Sequence, residues 1–99
     1  MTRRFYRRTF LNRRGHHAGA YVIADLSMES YLSDGVPTRE VSGEFTVADC
    51  GRVVGLDFTV RDVATARNSL HKARLLAKIA AEFTAALEVA VTELELEGR

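Results

Sequence analysis

The segment from Asp62 to Glu97 constrains the fold of this chain more than any other part of the sequence. Its apolar side chains recur with the alternating three- and four-residue spacing of a heptad repeat, which predicts one long helix. Asp62 suits the N-cap of this helix, and Gly98 suits its C-terminal end. The apolar seam contains Val63, Ala66, Leu70, Ala73, Ala77, Ala80, Thr84, Leu87, Val91 and Leu94.

A second apolar seam runs beside the first through Leu76, Ile79, Phe83, Ala86 and Ala90, so about half of the helix circumference is apolar. One docked partner needs a stripe of only ~100°. The helix would be roughly 54 Å long at ~1.5 Å per residue, whereas a seven-residue strand spans about 23 Å. We therefore predict a homo-oligomer whose interface contains Leu76, Ile79, Phe83, Leu87, Val91 and Leu94. The alternative is a helix that breaks near residues 68–69, which are weak helix formers, and lies diagonally across the sheet.

Charges along the predicted helix are segregated, with bases in the first half and acids in the second half. This order opposes the helix macrodipole, which favours acids first and bases last. Two such helices packed antiparallel would place each basic half beside an acidic half, so an antiparallel pair is expected. A solvated charged face without a partner is the alternative, because exposed ion pairs contribute only ~0.2 to 1 kcal/mol.

Strict alternation of apolar and polar residues between Val41 and Val60 predicts a β-hairpin about a two-residue turn at Cys50-Gly51. This register places apolar residues opposite each other on one face: Val47 with Val54, Phe45 with Leu56, Gly43 with Phe58, and Val41 with Val60. A slip of one residue would set apolar residues against polar ones, so the register is well specified.

Upstream, residues 20–32 alternate as a strand, residues 33–38 read as a loop, and residues 3–11 read as an edge strand followed by a turn at 12–19. We predict an α+β fold: an antiparallel meander of three or four strands packed on one long C-terminal helix. The chain is expected to form a single domain over residues 1–99. It would comprise a basic N-terminal arm or edge strand at 1–17, antiparallel strands at 18–60 and the helix at 62–97.

The net charge of +1 conceals a strong asymmetry. Residues 1–17 carry six arginines and no acid, giving +6, while the remaining eight bases and all thirteen acids give −5. Arginines interleaved with Phe5 and Tyr6 are typical of a nucleic-acid patch. In the alternative reading the arm lies on the acidic body, where Asp25, Glu44 and Asp57 share the polar sheet face. The candidate anion-binding residues are Arg3, Arg4, Arg7, Arg8, Arg13 and Arg14.

The residues that could carry chemistry are sparse. His16 and His17 are adjacent, so in extended chain they diverge, and a zinc site with His71 and Cys50 would need four distant parts to converge. Cys50 at a hairpin tip reads as an incidental turn residue, since such a tip supplies neither a base nor an oxyanion pocket. We therefore predict no catalytic, cofactor-binding or metal site, and no enzyme. A site built between subunits around Asp25, Glu44 or His71 is the alternative that would make the protein an enzyme.

The single cysteine excludes an internal disulfide framework. The N-terminus lacks the apolar region of a signal peptide, and no stretch approaches the ~20 apolar residues of a membrane-spanning helix. A cytoplasmic protein without membrane association is expected.

The stretch at 47–58, Val-Ala-Asp-Cys-Gly-Arg-Val-Val-Gly-Leu-Asp-Phe, followed by Asn-Ser-Leu-His-Lys at 68–72, resembles small uncharacterised proteins encoded by phages of actinobacteria. The resemblance covers the second half of the chain and implies a phage accessory protein that binds a host or phage component. Together these features predict a small, non-enzymatic, oligomeric binding protein with an unidentified protein partner. The alternative is a nucleic-acid-binding protein that uses the arginine-rich arm.

Overall fold

The computed structural model describes residues 2–94, which form four strands and one helix. The four strands make one antiparallel sheet in the order β1-β2-β3-β4, so each strand pairs with its neighbour in sequence. This confirms the predicted α+β fold, a meander packed with one long C-terminal helix. The elements are β1 (Thr2–Phe10), β2 (Tyr21–Ser33), β3 (Val36–Asp49), β4 (Arg52–Asp57) and α1 (Val63–Leu94).

The hairpin of β3 and β4 has the predicted register. Val47 pairs with Val54, and an isolated bridge continues the same register beyond β4 to Val41 and Val60. The two turn residues, Cys50 and Gly51, have φ values of 49° and 80°. Both therefore lie in the left-handed region, as a two-residue type I′ turn requires.

The hairpin of β2 and β3 is longer than the sequence predicted. Its turn consists of Asp34 and Gly35 alone, and the strands extend to both sides of it, so residues 36–38 belong to β3 and not to a loop. Pro37 pairs with Leu32, which is a non-hydrogen-bonded position next to a two-residue turn. Its nitrogen therefore points away from β2, at a level of β3 that β4 does not reach. The missing N–H there removes no hydrogen bond between strands.

Strand β1 lies at the sheet edge and spans Thr2–Phe10, one residue earlier than expected at both ends. Arg3 pairs with Ser27 and Phe5 pairs with Leu26, so Arg4 forms a β-bulge. The bulge places Arg3 and Phe5 on opposite faces of the sheet. This explains the poor alternation of residue types along β1.

Helix α1 begins as the sequence predicted. The Asp62 carboxylate accepts a hydrogen bond from the Thr65 amide at 2.8 Å, and Thr65 Oγ1 accepts from the amides of Arg61 and Asp62. The helix is continuous through residues 68–69, so the predicted alternative of a break there is wrong. The predicted end at residues 95–97 and the Gly98 stop lie outside the described residues.

Contact between α1 and the sheet is concentrated in the first three turns of the helix. Ser69 Oγ donates to the Thr59 carbonyl at 2.9 Å, and Lys72 Nζ lies 4.9 Å from the centre of the Phe58 ring. The radius of gyration is 18.3 Å, against roughly 12.6 Å for a compact domain of this length. The later turns of the helix therefore extend away from the sheet that anchors its start.

Candidate functional site

The predicted interface residues of α1 lie on the part of the helix beyond its contact with the sheet. Phe83 is 67 % exposed and Leu87 is 51 % exposed, and Ile79 and Leu94 are exposed to a similar degree. Leu76 and Val91 are partly covered. Within residues 2–94, the one buried residue of α1 is Ser69, in its anchored part. An apolar seam of about five turns therefore has no partner among the residues that the structure describes.

Heptad positions show how charges flank this seam. With Ala77 at position a and Ala80 at position d, the e positions within the described helix are Arg67, Arg74, Ala81 and Glu88. The charge thus changes sign about Ala81. In an antiparallel helix pair each e position lies beside an e position of the other helix, so Arg74 of one copy would face Glu88 of the other. In a parallel pair e positions face g positions, which here are Ser69, Leu76, Phe83 and Ala90 and carry no charge.

The apolar face of the sheet is also incompletely covered. It is formed by Val22, Ala24, Leu26 and Met28 on β2 and their paired residues on β3 and β4. Val54 at one side is 55 % exposed and Leu26 at the centre is 36 % exposed. Within residues 2–94 the fully buried apolar residues are Ala20 and Ala48, both small. The described part of the chain therefore lacks a core of large apolar side chains.

The candidate anion-binding arginines occupy the edge strand and the loop that follows it. Arg3, Arg4, Arg7 and Arg8 lie along β1, whereas Arg13 and Arg14 lie in the connection to β2, and all six are exposed. The Arg3 guanidinium lies 3.6 Å from the Asp25 carboxylate and 4.5 Å from the centre of the Tyr6 ring. The other five form no ion pair with a carboxylate among the described residues. Among the described residues, Arg3 is thus the one candidate arginine that pairs with an acid of the body.

The carboxylates of the polar sheet face form a row across three strands. Asp25 pairs with Glu44, and Glu44 pairs with Asp57, which follows from the predicted register of β3 and β4. Hydrogen bonds from the Thr59 side chain and amide hold the pKa of Asp57 below its ordinary value, and Lys72 adds to this effect. The row lies on an open face, and His71 lies exposed on α1. The structure therefore does not enclose Asp25, Glu44 and His71 in a common pocket.

Two further groups, the Asp62 carboxyl and the Tyr31 phenol, have shifted pKa values. The Thr65 amide and hydroxyl lower the pKa of the Asp62 carboxyl, which fits its role as the helix cap. Partial burial raises the pKa of the Tyr31 phenol, and the neighbouring Glu40 carboxylate, which accepts its hydrogen bond at 3.2 Å, raises it further. Glu40 also lies 3.7 Å from Arg61. Tyr31, Glu40 and Arg61 therefore link the β2–β3 hairpin to the segment that precedes the helix.

A cluster that the sequence reasoning missed lies at the end of the sheet where the β1–β2 loop meets the β3–β4 turn. His17 Nε2 lies 3.7 Å from Cys50 Sγ, and Asp49 contributes a carboxylate oxygen, all three ligand-type atoms lying within 4.8 Å of one another. The sequence pattern predicts Cys50 and His17 as residues of two separate turns. Their proximity follows from the meander, which places the first and third connections at the same end of the sheet.

No family model matches this chain, and no curated protein or solved structure is significantly similar to it. Within residues 2–94, no helix is both long enough and apolar enough to cross a lipid bilayer. Three features of the chain bear on its function: the apolar seam of α1, the arginines of β1 and the cluster of His17, Asp49 and Cys50.

Proposed function

We propose that this chain is a small non-enzymatic binding protein that works as a homodimer, with the helices α1 of two copies packed antiparallel. The observation that carries this proposal is the exposed apolar seam of α1 between Leu76 and Leu94. Exposure of a long apolar stripe to water is unfavourable, at roughly 25 cal/mol for each Å² of apolar surface. A second copy is the partner that is always present at the same concentration as the first.

The total surface area supports an extensive interface. The chain exposes 8320 Å², whereas a compact monomer of 11.0 kDa would expose about 5600 Å². The excess is about 2700 Å². Obligate homodimers bury on the order of 1000 to 2500 Å² per subunit. The surface in excess is thus of the size that a permanent partner would cover.

Side-chain sizes support the antiparallel arrangement centred near Ala81. In that register the a and d layers set Ala77 against Leu87 of the other copy, and Ala73 against Val91, so Leu87 and Val91 each meet a small side chain. The same register sets Arg74 beside Glu88. Both the packing and the charges of one helix are therefore complementary to a second helix of the same sequence in the opposite direction.

Such a dimer would carry its two sheets at opposite ends of the helix pair, because each sheet is anchored at the start of its own helix by Ser69 and Lys72. Each end would present one edge strand β1 and one partly exposed apolar sheet face. Two separated, identical surfaces are suited to bivalent binding of a larger structure. A host or phage component is the class of partner that the sequence resemblance implies.

Light scattering at micromolar concentration tests the dimer, with an expected mass of at least twice 11.0 kDa. Leu87→Glu should give monomer or unfolded chain, because an unpaired buried charge costs several kcal/mol. Val89→Glu is the matched control, since Val89 is 59 % exposed on the same helix but occupies an f position outside the seam. A folded monomer for the unmodified chain, or equal loss of mass in both variants, would contradict the proposal.

A second candidate function, binding of nucleic acid through β1, is favoured by a separate observation. Five arginines on and after this strand form no ion pair with a carboxylate of the described residues. Phe5, Tyr6 and Phe10 on the same strand are between 45 % and 62 % exposed. Exposed aromatic rings among unneutralised arginines match the requirements of single-stranded nucleic acid, in which phosphates and bases alternate along the chain.

A further inference from the structure

We propose that His17, Asp49 and Cys50 bind a thiophilic divalent cation, with Zn²⁺ as the ion that fits best. The three side chains come from two separate connections, the loop between β1 and β2 and the end of β3 with its turn. All three are exposed, so an ion can reach them without any rearrangement of the fold. This inference is independent of the proposed dimer, because the cluster lies on the sheet and the dimer seam lies on α1.

The separation of the histidine and cysteine ligand atoms agrees with tetrahedral coordination. Zn²⁺ binds cysteine sulfur at ~2.3 Å and histidine nitrogen at ~2.0 to 2.1 Å, which places sulfur and nitrogen about 3.6 Å apart at the tetrahedral angle. The observed separation of His17 Nε2 and Cys50 Sγ is 3.7 Å. The carboxylate oxygen of Asp49 lies within 4.8 Å of both atoms.

The position of His17 is fixed by its own loop. Asn12 Nδ2 donates to the His17 carbonyl at 2.7 Å, and the imidazole ring lies directly against Gly19. A Cβ atom at Gly19 would overlap His17 Cε1, so a larger residue there would displace the ring. The loop thus holds one histidine of the adjacent pair, His17, toward the β3–β4 turn.

One hydrogen bond must be exchanged when the ion binds. The Gly19 amide donates to His17 Nδ1 at 3.1 Å, so in the neutral ring Nε2 carries the proton and directs it toward Cys50 Sγ. Coordination through Nε2 moves that proton to Nδ1 and releases the bond from Gly19. The thiol of Cys50 loses its proton to solvent on binding. The ion therefore replaces two weak polar contacts by three coordinate bonds.

The donor set determines which ions are suitable. One thiolate, one imidazole and one carboxylate favour Zn²⁺ over Mg²⁺ or Ca²⁺, which prefer oxygen ligands. Three protein ligands leave one position of a tetrahedron for water or for a group from another molecule. Within the chain the ion would join the β1–β2 loop to the β3–β4 turn, which fixes the loop that carries Arg13 and Arg14.

Titration of the full-length protein with Co²⁺, a coloured substitute for Zn²⁺, tests the site. We expect one Co²⁺ per chain, a sulfur-to-cobalt charge-transfer band in the near ultraviolet, and loss of both on addition of Zn²⁺. His17→Ala and Cys50→Ser should each raise the dissociation constant at least about tenfold, since loss of even an indirect ligand contact costs this much. His16→Ala is the matched control, because His16 is adjacent but outside the cluster, and it should bind as the unmodified protein does.

Absence of the charge-transfer band at saturating Co²⁺ in the unmodified protein would overturn the proposal. Equal weakening of Co²⁺ binding by His16→Ala and His17→Ala would also overturn it, because this result would indicate a nonspecific histidine site. The spectrum of the unmodified protein needs no variant, so the test stands even if one substitution prevents folding. A monomeric but cobalt-binding protein would contradict the dimer while supporting the metal site.

Discussion

The Ser69 hydroxyl donates a hydrogen bond of 2.9 Å to the backbone carbonyl of Thr59, and this bond marks the point where α1 is held to the sheet. Ser69 is buried, whereas most helix residues after Leu76 are exposed. A polar contact at the start of a helix fixes its direction but covers little apolar surface. The anchor and the seam are therefore separate parts of one helix, and the seam is free to pack on another copy.

Reversal of charges at Arg74 and Glu88 should test the antiparallel arrangement. Arg74→Glu or Glu88→Arg alone should weaken the dimer about tenfold, because two ion pairs of roughly 0.2 to 1 kcal/mol each become repulsive. The double variant should restore the affinity, since each pair is formed again with its signs exchanged. Sedimentation equilibrium at low salt measures the dissociation constants.

Lys78→Glu is the control for that experiment, because it makes the same charge change at a b position, away from the seam. Its dimer affinity should stay close to that of the unmodified protein. A double variant no better than either single variant would exclude an antiparallel register centred on Ala81, without excluding dimerisation through another face.

Two glycines of the sheet should respond differently to alanine. A Cβ at Gly43 would lie 3.0 Å from Leu26 Cδ1 and 3.1 Å from the Phe58 carbonyl oxygen, so Gly43→Ala should lower the free energy of unfolding by about 1 to 3 kcal/mol. At Gly55 the nearest atom is the flexible Glu44 carboxylate at 3.4 Å, and Gly55→Ala should be neutral or stabilising. Urea denaturation compares the two. Equal changes in the free energy of unfolding for the two variants would show that close packing at Gly43 does not contribute to stability.

The helix cap should make the protein sensitive to acid. The pKa of Asp62 is below its ordinary value of 3.8, so its contribution is present above that pH and is lost as the pH falls through the lower, folded-state value. Asp62→Asn keeps an acceptor for the Thr65 amide but removes the titration. Its melting temperature, followed by circular dichroism, should fall less between pH 5 and pH 2 than that of the unmodified protein. Identical pH profiles would mean that the cap does not contribute to acid stability.

The arginines of β1 allow a direct test of polyanion binding. If the strand binds single-stranded nucleic acid, the logarithm of the association constant should fall with the logarithm of salt concentration by about 0.7 for each phosphate neutralised. Replacement of Arg4, Arg7 and Arg8 by serine should flatten this dependence. Fluorescence anisotropy of a labelled oligonucleotide, measured from low to moderate salt, gives the slope.

Arg3→Ser separates this role from a structural one, because Arg3 contacts Asp25 and Tyr6 within the chain. Arg3→Ser should lower the melting temperature by more than one third of the decrease that the triple variant causes. If no binding is detected at low salt and the triple variant is markedly destabilised, the strand serves the fold and the nucleic-acid candidate is excluded.

Local sequence patterns were sufficient to predict the elements and one register. Val47 opposite Val54 was predictable because a one-residue slip would expose every apolar side chain of the hairpin. The start of α1 at Asp62 was predictable because an N-cap depends on residues within one turn. The continuity of the helix through Asn68 could not be decided by propensity, since Asn and Ser disfavour a helix only weakly. The short turn at Asp34-Gly35 could not be predicted, because Pro37 suggests a break wherever its missing donor would matter.

Only the tertiary structure decided what these elements bring together. His17 and Cys50 are 33 residues apart, and their contact arises because a meander returns its first and third connections to the same end of the sheet. The pairing of Arg3 with Asp25 depends on the bulge at Arg4, which no local pattern specifies. The separation of the helix seam from its own sheet depends on the direction that Ser69 and Lys72 impose on α1. Sequence periodicity specifies which face of an element is apolar, whereas long-range contacts determine what that face meets.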